Sequence, residues 1–379
     1  MISSTFRLGR IGGVTVGASW TVAVIVWLFA WSLGQYVLPE LAPGYAGGVY
    51  WIIALLAALG LLASILAHEL GHAAVANRHG VPVEEITLWM FGGLARLSSS
   101  ARDASTELRI ALAGPAMSAI IGVACLTVAA ACSMLGGPAV LTAAVGWLGG
   151  VNVVLAVFNL LPGAPLDGGR VLTAILWRRS GDERLARKRA AHAGQVVGQV
   201  LIALGIVEFA LGAGVGGVWL ALIGWFLTSA AHAEEAQVDV VAAFEGVRVG
   251  DVMTIDVRIV ESDRTVADFV GYDALTAHVS SFPVVDRDGR LEGLVTLRRL
   301  RQLPQSKWAT TTVGEVAVPL DRLAIAEPEE LLVDVLGRAG AADGRVLVIE
   351  EGRLLGIVTP TDVTAALERL SLTRLGTGR

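Results

Sequence analysis

Six long apolar stretches fill most of the first 235 residues, and they constrain the fold more than any other feature. They run over 17–38, 48–77, 107–133, 138–161, 191–212 and 216–233. A bilayer core of ~30 Å is crossed by about 20 helical residues, so each stretch is long enough to span it. Inside lipid every backbone polar group must be bonded within the chain, and for segments of this length that means helix. Composition agrees: 54% of residues are hydrophobic, 17% are charged and the mean hydropathy is +0.65. That is too apolar for a soluble globule of ordinary type. The net charge of −5 is modest and argues against a nucleic-acid partner. Arg7 and Arg10 precede the first stretch, but it is too long for a cleaved signal peptide and lacks a small-residue cleavage site. Cys125 and Cys132 fall in one apolar block and read as small packing residues rather than a disulfide.

Basic residues orient the six crossings. The connections 38–48, 134–138 and 212–216 contain no Lys or Arg. Arg7, Arg10, Arg78, Arg96, Arg102, Arg109 and the run from Arg170 to Arg189 all fall on the other side. Positive residues mark the cytosolic face, so both termini are expected there, in a multi-pass protein of the cell membrane.

The second stretch ends in "ILAHELGHAAVA", Ile65 to Ala76. His68 precedes Arg78 by ten residues, roughly 15 Å at ~1.5 Å per residue, which puts the motif inside the membrane. His68 and His72 are four apart, so a helix presents both imidazoles on one side. Two such nitrogens hold a zinc ion, and the adjacent Glu69 reaches a water beside it as general base. Ionisable groups at this depth are costly unless paired, which favours a working site over a packing cluster.

A catalytic zinc takes a third protein ligand and an open position. The best candidate is Asp167, in "NLLPGAPLDGGR" (Asn159 to Arg170) at the cytosolic end of the fourth stretch. Pro162, Gly163 and Pro165 break the helix there, and Gly168 and Gly169 permit tight turns near a metal. Glu84, Glu85, Asp103 and Glu107 in the inner loops read as solvated. So do His79, His192 and His232 near the interfaces.

With "HELGH", "GPAMS" (Gly114 to Ser118) and "NLLPGAPLDGG" in this order on membrane helices, residues 1–235 resemble the site-2 proteases, the intramembrane zinc metallopeptidases of family M50. The resemblance implies one Zn2+ per chain held by His68, His72 and Asp167, with Glu69 activating water. It also implies a membrane-embedded protein substrate and regulated intramembrane proteolysis. "VPVEEITLWMFGGLARL" (Val81 to Leu97) reads as strand–turn–strand, a small membrane-associated β-hairpin whose edge pairs with an extended substrate. Asn159 is a candidate for bonding the substrate backbone or an oxyanion, with a helix-capping role as the alternative. Gly114, Pro115, Gly149 and Gly150 read as close helix contacts.

Past a linker at 236–245 the chain has ordinary soluble composition and repeats itself. "SFPVVDRDGRLEGLVTLRRL" (Ser281 to Leu300) matches "GRVLVIEEGRLLGIVTPTDV" (Gly344 to Val363), each reading strand, turn, strand, helix. This resembles a pair of cystathionine-beta-synthase (CBS) modules, 246–305 and 310–371. The expected fold is therefore a six-helix polytopic membrane domain plus an α/β CBS pair in the cytosol. A CBS pair implies a site for an adenosine nucleotide, a homodimer, or both. Thr359 and Asp362 match the nucleotide-binding Thr-x-x-Asp element, whereas the first module carries Thr296 and Arg299. CBS modules also regulate transporters, so a CBS-regulated transporter or a catalytically inactive scaffold is the alternative. The metal-ligand spacing favours a protease.

Overall fold

The apolar stretches become helices in the computed structural model, which describes residues 6–89, 92–97, 101–274, 279–338 and 344–376. They are α1 (Thr21–Leu41), α2 (Gly47–Arg78), α3 (Ala104–Met134) and α4 (Ala139–Asn159). A shorter amphipathic helix, α5 (Asp167–Ser180), comes next. Then follow α6 (Glu183–Gly212) and α7 (Val215–Ala243). All but α5 are long and apolar enough to cross a membrane.

Local chemistry sets the boundaries. The Asp103 carboxylate accepts the Ser105 and Thr106 backbone N–H groups, each at 2.9 Å, and so caps α3. Hydrogen bonds from the Ser105 hydroxyl and from Thr106 hold that carboxyl below the usual range. α5 closes on Gly181 in the left-handed conformation, with Arg178 and Arg179 in its last turn, where cations suit the helix dipole. α6 starts earlier than the expected 191, because Asp182 accepts the Leu185 N–H and Arg187 pairs with Glu183 one turn apart.

The expected hairpin is half of a four-stranded sheet. Strands β1 (Phe6–Ile11) and β2 (Val14–Ala18) precede β3 (Val83–Trp89) and β4 (Gly92–Leu97), in the order β1-β2-β3-β4. β2 and β3 run parallel and the outer pairs antiparallel. Residues 90 and 91 between β3 and β4 lie outside the described residues. The inner face of the sheet, with Val14, Val83, Ile86 and Leu88, packs on Ala73 and Ala76 of α2 and Ile110 of α3. This core pins the C-terminal end of α2, the end that carries the histidines.

Small residues bring the remaining helices together. A Cβ at Gly205 of α6 would lie 2.5 Å from the Gly217 carbonyl oxygen of α7, and one at Gly149 would lie 3.0 Å from the Gly122 carbonyl oxygen of α3. Cys125 and Cys132 are free thiols.

The chain divides into two units, Met1–Val238 and Asp239–Arg379. Among its described residues the second holds two small sheets. One orders β5 (Val260–Glu261), β6 (Ser281–Val285), β7 (Leu291–Thr296) and β8 (Val318–Pro319). In the other, β10 (Val346–Glu350) lies between β9 (Ala324–Ala326) and β11 (Arg353–Val358). The repeats exchange their leading segments. Val249 and Val252 join the core of Leu332, Val346 and Val358 in the second repeat, while Val313 joins Val260, Phe282 and Val295 in the first.

Candidate metal centre

α2 projects His68 and His72 from successive turns of one face, and both are buried. Asp167 reaches them from the first turn of α5. His68 Nε2 lies 3.1 Å from Asp167 Oδ2, His72 Nε2 lies 3.2 Å from Asp167 Oδ1, and the two Nε2 atoms are 3.2 Å apart. Three ligands at ~2.0 Å from one zinc ion, at tetrahedral angles, stand about 3.3 Å from one another. The two imidazoles stand at that separation, and Asp167 turns one oxygen toward each of them, so the three side chains are close enough to share one zinc ion. Among the described residues this is the group of three or more His, Cys, Asp or Glu side chains close enough to share a metal.

The outer nitrogens of both rings are spoken for. His68 Nδ1 sits 2.9 Å from the Ser118 Oγ, and His72 Nδ1 sits 2.7 Å from the Ile110 carbonyl oxygen. A proton on each Nδ1 leaves Nε2 as the free lone pair that a metal needs. Gly114 lies one turn from both partners, and a Cβ there would come within 2.2 Å of His72 Nε2. It is a clearance for the imidazoles rather than the helix contact expected of it. Gly149 is such a contact, while nothing lies within 4 Å of a Cβ built at Gly150.

Glu69 is half-buried, and its side chain lies against the backbone of Gly93 on β4. A Cβ at Gly93 would lie 2.3 Å from Glu69 Cγ, so only glycine lets β4 pass this close. Asn159 ends α4, half-buried, with no hydrogen-bond partner for its side chain among the described residues. His192 and His232 are exposed, as expected. His79 is not simply solvated: its Nδ1 meets the Val75 carbonyl and Arg109 reaches its Nε2 at 3.0 Å. Glu107, expected to be solvated, is buried and paired with Arg170.

In the second unit Asp362 is held by its own protein. Its Oδ1 accepts the Thr254 hydroxyl at 2.9 Å. Its Oδ2 accepts the Thr359 N–H at 2.8 Å and the Thr359 hydroxyl at 2.6 Å. In the first repeat Thr296 accepts the Arg299 N–H, and no carboxylate stands there.

Known proteins resemble this chain in sequence. The family model "Peptidase family M50" matches residues 56–136 and 133–205, and "CBS domain" matches 249–305 and 313–369. A Mycobacterium tuberculosis protein whose name includes "zinc metalloprotease Rip3" is 47% identical over 95% of this chain and 92% of its own. A Synechocystis protein also named for a zinc metalloprotease is 31% identical over 97% and 96%. Among solved structures, the site-2 protease from Methanocaldococcus jannaschii is 29% identical, covers 61% of this chain and 94% of its own, and superposes with a TM-score of 0.40. Full-length kinship at this level, together with two histidines on a candidate membrane span met by an aspartate from the start of α5, makes the chain a member of peptidase family M50, an intramembrane zinc metalloprotease of the site-2 type with a C-terminal CBS pair.

Proposed function

We propose that His68, His72 and Asp167 ligate the zinc, that Glu69 is the general base, and that the substrate is a membrane-embedded protein cleaved at a locally unwound stretch. The observation that carries this reading is the meeting of the two Nε2 atoms, 3.2 Å apart, with one Asp167 oxygen 3.1–3.2 Å from each, and with Glu69 next to His68 in the chain. Zinc supplies a Lewis acid that polarises the scissile carbonyl and acidifies water. Glu69 takes the proton of the attacking water and passes it to the leaving amine. A helical substrate hides its carbonyls in its own hydrogen bonds, so it must open before cleavage. β4 is an edge of the sheet and runs past Glu69 at Gly93. An extended substrate added to that edge satisfies its backbone and passes the base. Asn159, at the end of α4 with no hydrogen-bond partner for its side chain among the described residues, is the residue proposed to bond the substrate backbone or an oxyanion. An adenosine nucleotide at Thr359 and Asp362, and pairing of two chains through the CBS repeats, are the proposed controls.

The test is a co-expressed membrane substrate together with metal analysis. Glu69→Gln should lower cleavage about 10²–10⁴-fold while one zinc per chain remains. Asp167→Ala and His72→Ala should lose the zinc. Full zinc content and normal cleavage in Asp167→Ala would overturn the ligand set.

Both termini are proposed to face the cytosol. Reporter fusions after residues 42, 136 and 214 should read outside, and fusions after 100, 182 and the C-terminus inside. A cytosolic signal at 42 would reverse that orientation.

A further inference from the structure

One ion pair joins the two turns that orient the metal-binding side chains. Arg170 Nε donates to Glu107 Oε1 at 2.8 Å, and Nη2 donates to Oε2 at 3.3 Å. Glu107 stands in the first turn of α3, three residues before Ile110, whose carbonyl takes the His72 Nδ1 proton. Arg170 stands in the first turn of α5, three residues after Asp167. Residues three apart on a helix are neighbours on one face. The pair thus links the turn that aims His72 to the turn that carries Asp167.

The contact is suited to setting a distance. The Glu107 side chain is 10% exposed and that of Arg170 34%, so neither is a freely moving surface group. Burial disfavours the charged guanidinium, but the charge and hydrogen bonds of Glu107 outweigh it and hold the Arg170 pKa above its ordinary value. A two-point guanidinium–carboxylate contact fixes separation and rotation together, which a lysine cannot do. Arg170 meets both Glu107 oxygens, and Glu107 is not among the side chains close enough to share the metal.

We propose that Arg170 and Glu107 form a positioning pair that holds Asp167 at the separation from His68 and His72 that one zinc ion requires. The proposal rests on the ligand set given above. A pair that served only overall stability would lower the melting temperature and leave a folded site able to keep its metal.

The experiment follows zinc transfer from the full-length, zinc-loaded protein in detergent to a colorimetric chelator. Glu107→Gln and Arg170→Gln should each release zinc at least about 10-fold faster than wild type, in the range found when outer partners of metal ligands are removed. The double variant should release it no faster than the quicker single variant, because the two act as a unit. kcat should fall while KM holds. Arg170→Lys, which keeps the charge and loses the fork, should fall between wild type and Arg170→Gln. It carries the test where the neutral variants do not fold. Zinc release at the wild-type rate in the folded variants, or rate effects that simply multiply in the double variant, would overturn the pair's role. Asp167→Ala separates the two claims. Loss of its zinc beside normal release in the pair variants defeats the pair alone. Zinc retained in Asp167→Ala defeats the ligand set and the pair with it.

Discussion

Gly114 sits where α3 passes the two imidazoles, and a methyl group there would stand 2.2 Å from His72 Nε2 and 2.5 Å from His68 Nε2. Alanine ordinarily favours helix over glycine by ~1 kcal/mol, so the substitution should leave helix content intact. The clash decides the outcome instead. Gly114→Ala should bind well under one zinc per chain with an unchanged circular dichroism spectrum, and a full zinc complement would refute the clearance role. Ser118→Ala removes the partner of His68 Nδ1 without touching the metal-binding atoms. Zinc affinity should drop about 10–100-fold in chelator competition, and an unaltered affinity would show that the ring needs no such support. These supports are poorly legible in sequence. His68, Glu69, His72 and Asp167 follow spacing rules that chemistry imposes. The Ile110 partner is a backbone carbonyl, and Ser118 obeys no spacing rule. Glu107 looks like any loop acid until α5 folds back and brings Arg170 to it.

At the scale of elements, the segment bearing Asp167 is seated on α6. Ala164 donates its N–H to the Ala190 carbonyl, and a Cβ at Gly194 would lie 2.0 Å from the Ala164 carbonyl oxygen. The loop backbone therefore lies directly on a glycine of α6. Gly194→Val should lift the loop, displace Asp167 and lower zinc content and cleavage together, although no site residue is altered. Metal analysis of the folded variant is the check, and wild-type zinc content would mean that α6 does not hold the loop. The sequence makes the six crossings legible because length and apolarity suffice for them. It hides α5, since "DGGR" reads as a turn until Leu166 starts a helix whose first residue is Asp167. It also hides β1 and β2. Their connection through Gly12 and Gly13, both at positive φ, is a hairpin signal, but the strands are short and their parallel partner β3 lies more than sixty residues on.

At the scale of the whole molecule, the repeats read as consecutive modules, yet each closes its core with the leading segment of the other. Similarity along the chain reports which segments match, not which pack together. The exchange has a consequence for control. Phe244, the residue after α7, is buried in the same core as Val249, Val252 and Leu332. Thr254, just beyond Val252, gives its hydroxyl to Asp362. A ribose at Asp362 must share that carboxylate with Thr254 or displace it. Each carboxylate oxygen accepts more than one hydrogen bond, so sharing is chemically open to Asp362. Arg299 has no acceptor to offer at the equivalent place in the first repeat. One nucleotide per chain is therefore expected. Its binding energy would act on Thr254 and, through the shared core, on Phe244 at the end of α7. A ligand shifts an arrangement only by its preference for one form over another. Calorimetry and thermal shift on the full chain in detergent, with ATP, ADP and AMP in turn, should give a single site per chain. Asp362→Ala should weaken it at least about 10-fold, since a charge-assisted pair is worth roughly 1.5–3 kcal/mol. Thr254→Val should keep the binding but reduce any change in cleavage that the nucleotide produces, because the ribose then no longer competes with a hydroxyl. No heat and no shift with any of the three would remove nucleotide control. Binding that ignores Asp362→Ala would move the site off the second repeat.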